Sequence, residues 1–119
     1  MTIDINQQGD VCILRVEGRF VTGTNPEYLQ KKLEELKRLH QGKVLIDLSR
    51  MPHIGSAGIG FLVGIFTSVE ASSGRFVMVG LQPRVREVFD STRLSTIVPL
   101  SKDLASGLAA LGSEGHAAI

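Results

Sequence analysis

Apolar and polar positions alternate from Thr2 to Ile5 and, more strongly, from Val11 to Val16, with Gln7-Gln-Gly-Asp10 between the two runs. Period-two alternation marks a strand, and Gly9 with Asp10 suits a hairpin turn, so the chain is predicted to open with two antiparallel strands. Gly18 and Gly23 break that pattern. Asn25 followed by Pro26 then predicts a helix start: Asn caps free N–H groups, and Pro at the first helical position removes no needed donor. Leu29, Leu33, Leu36 and Leu39 recur at helical spacing, with Lys31, Glu34, Glu35 and Lys37 on the other faces, so the helix is amphipathic and ends before Gly42.

From Lys43 to Leu48 the apolar residues are nearly continuous, as in a strand covered on more than one side. Pro52 ends that regular stretch. From Ser56 onward Ile59, Leu62, Val63, Phe66 and Val69 return at spacings of three and four, which predicts a second helix. Gly58, Gly60 and Gly64 weaken it, and their related faces suggest a close approach to the sheet that compensates. Ser72-Ser-Gly74 turns the chain into a strand over Phe76 to Val79. Pro83 opens a third helix with Val85, Val88 and Phe89 inward. Ile97 to Leu100 reads as a last short strand, and Ser101 as the cap of a final helix with Leu104, Leu108 and Leu111 on its core face.

Strands alternating with helices on this scale predict an α/β fold: a mixed, mostly parallel sheet with an N-terminal hairpin, packed against about four helices. The 119 residues suffice for one core, and 43% hydrophobic against 21% charged residues is the balance of a compact globular chain. The expected organisation is one domain over residues 1–111 and a flexible tail over 112–119.

A formal net charge of +1, from 13 Lys and Arg against 12 Asp and Glu, disfavours a nucleic-acid binder held by counterion release. Cys12 lies in the apolar run Val11-Cys-Ile-Leu14 and reads as a small buried hydrophobe. The N-terminus lacks a basic segment leading into an apolar one. The longest apolar stretch, around Ile59 to Val69, is glycine-interrupted and short of the roughly 20 residues that span a bilayer. A cytoplasmic protein without membrane insertion is expected.

The residue most open to a chemical role is Ser56, at the start of the second helix. A hydroxyl there either caps free N–H groups or carries a phosphate that the positive helix end tolerates. The surrounding Gly55-Ser-Ala-Gly-Ile-Gly60 has neither the dinucleotide-binding glycine spacing nor the lysine of a P-loop, and Ile54 stands where a nucleophile elbow needs glycine. His53 is the nearest base by sequence, but no acid is placed to orient it, so a hydrolase using Ser56 and His53 is a remote reading. Asp47 reads as a strand-end hydrogen-bond acceptor. No metal and no cofactor are expected. Arg84, Arg86 and Arg93, interspersed with Glu87 and Asp90, read as a solvated helix face with local ion pairs, with the rim of a partner surface as the alternative. Thr22 and Thr24 flank Gly23 in the loop entering the first helix, where hydroxyls commonly cap backbone groups.

Three segments together resemble the STAS domain, the fold of bacterial anti-sigma factor antagonists. They are Val44-Leu-Ile-Asp-Leu-Ser49, Ile54-Gly-Ser-Ala-Gly-Ile-Gly60 and Leu81-Gln-Pro-Arg-Val-Arg-Glu-Val-Phe-Asp-Ser-Thr-Arg-Leu94. The resemblance covers almost the whole chain and puts Ser56 on the family's phosphoacceptor position. It implies a non-enzymatic switch in which the unmodified protein binds an anti-sigma factor, a serine kinase of ATPase fold. A sigma factor is thereby freed, and phosphorylation of Ser56 breaks the complex. The implied partner surface comprises Thr22, Thr24, Gly55, Ser56, Ala57 and Gly58. Departures from the family pattern cluster there: Gly55 replaces the aspartate before the acceptor, Arg19-Phe-Val21 stands where the loop after the second strand carries another acidic residue, and Ala57 replaces a hydroxyl residue. These motivate an alternative, a STAS accessory or scaffold subunit of a signalling or lipid-transport assembly in which Ser56 is only a cap.

Overall fold

The computed structural model describes residues 1–20 and 25–112. β1 (Thr2–Gln8) and β2 (Val11–Glu17) form the expected hairpin, turned at Gly9 with φ +63°, a left-handed conformation that glycine adopts without steric cost. α1 (Pro26–Leu39) starts as predicted, with Asn25 Oδ1 accepting the Glu27 N–H at 2.9 Å. β3 (Lys43–Arg50), α2 (Ser56–Ala71), β4 (Arg75–Val79), α3 (Pro83–Ser91), β5 (Leu100–Ser101) and α4 (Leu104–Ala110) follow.

The sheet order is β1-β2-β3-β4-β5, with β1 antiparallel to β2 and every later pair parallel. One helix joins each parallel pair, and right-handed crossovers that step always in one direction leave their helices on one face. Leu36 of α1, Leu62, Ile65, Phe66 and Val69 of α2, and Val85 and Phe89 of α3 accordingly share one core with Cys12, Leu14, Val44, Ile46 and Met78. α4 is free of that constraint and covers the second face over Val11, Ile13, Leu45, Val77 and Val79. Covered on both faces, Val44 to Leu48 of β3 are buried without interruption, which is why the segment reads as a continuous apolar run.

Three expectations are corrected. The last strand lies at Leu100–Ser101 rather than Ile97 to Leu100: Leu94–Thr96 form a 3-10 turn, Ile97 is in the right-handed helical region and 61% exposed, and Pro99 has no N–H with which to extend the ladder. Ser101 is therefore a strand residue, and the cap of α4 is Asp103, whose Oδ1 accepts the Ser106 N–H at 2.9 Å. Among the three glycines of α2 only Gly58 is buried; a Cβ at Gly60 or Gly64 would meet nothing within 4 Å.

Candidate functional site

The loops leaving the carboxyl ends of β2 and β3 are zipped to each other beyond the strands. Gly18 N–H donates to Arg50 C=O at 2.9 Å, Phe20 N–H to His53 C=O at 3.0 Å, and Gly55 N–H to Phe20 C=O at 2.6 Å. Phe20 and Ile54 form a parallel bridge at the centre of this zip. Crevices outside the carboxyl ends of parallel strands are where open α/β sheets present functional groups.

α2 springs directly from this frame. Gly55 is its N-cap in extended conformation, and the first helical bond runs from Ile59 N–H to Gly55 C=O at 3.0 Å. Gly58 lies flat on Phe20 and Ile54: a Cβ placed there would stand 2.7 Å from Ile54 Cγ1 and 2.8 Å from Phe20 Cγ. Phe61, one turn on, packs against the Phe20 ring with centroids 5.5 Å apart. The first turn of α2 is thereby clamped to the end of β2, so a group on its outer side is held in a fixed position.

Ser56 is that group. It is exposed, it is the first helical residue rather than the cap, and its hydroxyl bonds no described residue. The plain capping role expected of a serine here is not the one it plays. Among the described residues no side chain caps α2, and no acidic residue stands in its first turn. The leading N–H groups of Ser56, Ala57 and Gly58, which have no partner within a helix, thus form a bare positive end. Ala57 is exposed beside Ser56 and Gly58 is buried beneath it. Thr22 and Thr24, also expected at this surface, lie outside the described residues.

Asp47 fixes the frame from the second face. Its Oδ2 accepts from Arg15 Nε at 3.0 Å and its Oδ1 from the Ser49 N–H at 2.9 Å, the strand-end acceptor role expected of it. Burial pushes this carboxyl up, but the hydrogen bonds from Ser49 and the Arg15 guanidinium outweigh that and hold it below the usual carboxylate range. Beside it, the backbone of Gly80 lies close against Ser49, and Gln82 Nε2 donates to Ser49 C=O at 2.8 Å, tying the entry to α3 to the end of β3.

Other candidate chemistry does not assemble. No hydrogen bond joins Ser56 to His53, whose backbone carbonyl is engaged by Phe20. Cys12 is fully buried, and its burial pushes the thiol up. Among the described residues no three His, Cys, Asp or Glu side chains gather as a metal cluster, and no helix is long and apolar enough to cross a membrane. Arg86 pairs with Asp90 at 3.3 Å, the local ion pair expected on α3. A pocket of about 310 Å³ lies between Phe66, Glu70, Arg75, Phe76, Pro99 and Leu111, at the opposite end of the sheet from Ser56.

Reading the sequence alone missed Phe20. Its only signal was an isolated aromatic between two chain-breaking glycines.

A five-stranded, mostly parallel sheet with an exposed serine hydroxyl clamped at its carboxyl edge defines a small α/β domain. The STAS domain family profile matches residues 2–107, and the chain belongs to that family. It is 32% identical over 85 residues to an anti-sigma-B factor antagonist of Listeria monocytogenes, across 68% of this chain and 75% of that one. An anti-sigma factor antagonist from Mycobacterium paratuberculosis superposes with a TM-score of 0.82 at 24% identity, over 92% of each chain. The Bacillus cell fate determinant SpoIIAA in its phosphorylated form superposes with a TM-score of 0.63 at 17% identity, over 85% of this chain and 92% of that one.

Proposed function

We propose that this protein is an anti-sigma factor antagonist switched by phosphorylation of Ser56. The unmodified rim of Gly55, Ser56, Ala57 and Gly58, with Thr22 and Thr24 alongside, binds a kinase-type anti-sigma factor and so frees a sigma factor. The observation that carries this reading is the Ser56 hydroxyl: exposed, unbonded to any described residue, and held on a rigid frame at an uncapped helix start. The name of the Listeria relative and the phosphorylated state of the SpoIIAA neighbour support it.

The chain acts as a binding module, and the chemistry belongs to the partner. The γ-phosphoryl group passes from ATP to Ser56 Oγ; the new O–P bond replaces the bond to ADP, and the hydroxyl proton leaves to a base of the kinase. Phosphoserine adds nearly two negative charges and three acceptor oxygens, which a closely packed contact accommodates only at a desolvation cost. The helix end itself tolerates the charge, so the switch requires no refolding.

Incubation with purified kinase-type anti-sigma factors of the source organism and ATP tests the proposal. Expected are a complex on size exclusion without ATP, a mass gain of one phosphoryl group with ATP, and loss of that gain in Ser56→Ala. That variant keeps its fold, because Ser56 neither caps α2 nor bonds a described group. Absence of both complex and Ser56-dependent mass gain overturns the proposal.

A further inference from the structure

The loops around Ser56 carry charge of one sign. Gly18 to Phe20, Arg50 to Gly55 and Gly80 to Gln82, together with the first turn of α3, present Arg19, Arg50, Arg84 and Arg86, the last paired with Asp90, and no carboxylate of their own. Arg50 is partly neutralised by Glu17, with Nη1 3.5 Å from Oε2. Arg19 and Arg84 are both exposed, and neither side chain forms an ion pair or hydrogen bond with a described residue. The acids of the flanking elements, Asp4 on β1, Glu27 in the first turn of α1 and Glu87 in α3, form no ion pair with these arginines.

Arg84 stands in the first turn of α3, where the helix dipole disfavours a cation, and that turn contains no acidic residue. The first turn of α2 contains none either. Helix stability therefore does not account for this charge pattern; two helix starts without a cap from their N-cap side chains and the two arginines lie at the same carboxyl edge of the sheet as Ser56.

Resting on the reading of this rim as the partner-facing one, we infer that Arg19 and Arg84 select a protein partner presenting carboxylates. The rim attracts that surface before contact, and a phosphate on Ser56 cancels the attraction from within. Arg19 and Arg84 act through the field they set up at Ser56, as steering residues.

Two measurements test this. The association rate with the anti-sigma factor of the preceding experiment is compared for wild type, Arg19→Glu, Arg84→Glu, the double reversal, Arg84→Lys, and Lys37→Glu at the far end of α1. The double reversal is expected to slow association about tenfold or more at low salt, with the gap closing at high salt, while Arg84→Lys and Lys37→Glu stay within about twofold of wild type. In the second measurement phosphoserine is installed genetically at position 56 and its second ionisation is followed by ³¹P NMR. The pKa is expected to lie below the ordinary value of about 6 and to rise by several tenths of a unit in the double reversal.

A wild-type complex indifferent to both reversals, or a phosphate pKa that does not move, overturns the inference and leaves the proposed function standing. Absence of any wild-type complex, with no phosphorylation of Ser56, overturns both. Faster association of the reversed variants assigns the partner the opposite charge. Duplex DNA binding that requires Arg19 and Arg84, without an effect on the protein complex, assigns the rim to nucleic acid and likewise overturns the inference.

Discussion

Gly58 and Gly64 are the same residue in the same helix, yet their surroundings give substitution opposite signs. At Gly58 an added Cβ runs into Ile54 and Phe20, the two residues that join the loops beneath Ser56. Gly58→Ala is expected to lose about 1–3 kcal/mol by overpacking. At Gly64 the space is open, and Ala should add about 0.5–1 kcal/mol through helix propensity. Urea unfolding of the two variants reads both effects, and equal changes in the two midpoints would refute the clamp. Asp47 supplies a second prediction at this scale. Its side chain is 10% exposed against Arg15, and Asp47→Asn should cost about 1–3 kcal/mol at neutral pH by weakening a partly buried pair. Because the folded carboxyl titrates below its unfolded value of about 3.9, the stabilisation is present above that value and is lost as pH falls through the lower folded value. The gap between wild type and variant should therefore narrow on acidification below about pH 4, which denaturation at several pH values would show. A gap independent of pH would assign the loss to packing.

The short α4 shows how a helix of modest propensity is kept in place. It has seven residues, begins at the Asp103 cap, and holds Leu104 and Leu108 against the second face of the sheet. The hydrogen bonds from Ser106 hold the Asp103 carboxyl below its usual range, so the cap is strongest in its ionised form. Asp103→Ala is expected to raise amide exchange through α4 and in Val77 and Val79 beneath it, whereas Ser101→Ala should leave exchange in α4 unchanged. The opposite ranking would restore Ser101 as the cap. Both residues are polar and stand just before the same apolar pattern, and what separates them is that β5 takes Ser101 into pairing with Val79. Capping preference is local, but which of two neighbouring candidates is free to cap depends on a strand partner more than 20 residues away.

Across the whole molecule the division of labour follows from the winding. A sheet built in one direction puts α1, α2 and α3 on one face and leaves a single helix for the other, so the second core depends on α4 alone. Truncation after Lys102 should uncover Val11, Ile13, Leu45, Val77 and Val79, an apolar surface that a lone domain does not carry in water. Strong dye binding and concentration-dependent association on size exclusion are the expected results. A monomeric, dye-silent truncated protein would show that the three-helix layer suffices. The same winding gathers the exits of β2, β3 and β4 at one edge, opposite the pocket beside Phe76, and this gathering ties Phe20 to Gly55 beside Ser56 and the entry to α3 to Ser49 at the end of β3.

What the sequence by itself determined was whatever short-range chemistry can specify. Alternation marked the hairpin, the unbroken run at Val44 to Leu48 marked a strand covered on both faces, Asn25 and Pro26 marked a helix start, and the step from strand through Pro52 into helix put Ser56 at a helix N-terminus. The tertiary structure alone decided what depends on residues far apart in the chain. Glycine spacing could not tell Gly58 from Gly60 and Gly64, because the difference is Phe20 lying across the first turn of α2. Nor could a serine beside a helix start announce that Gly55 holds the capping position and leaves the hydroxyl unbonded to any described residue; that follows from the Gly55 N–H being drawn onto Phe20 C=O. Periodicity and capping preference act over a few residues, whereas close approach and strand pairing are settled only when distant segments pack together.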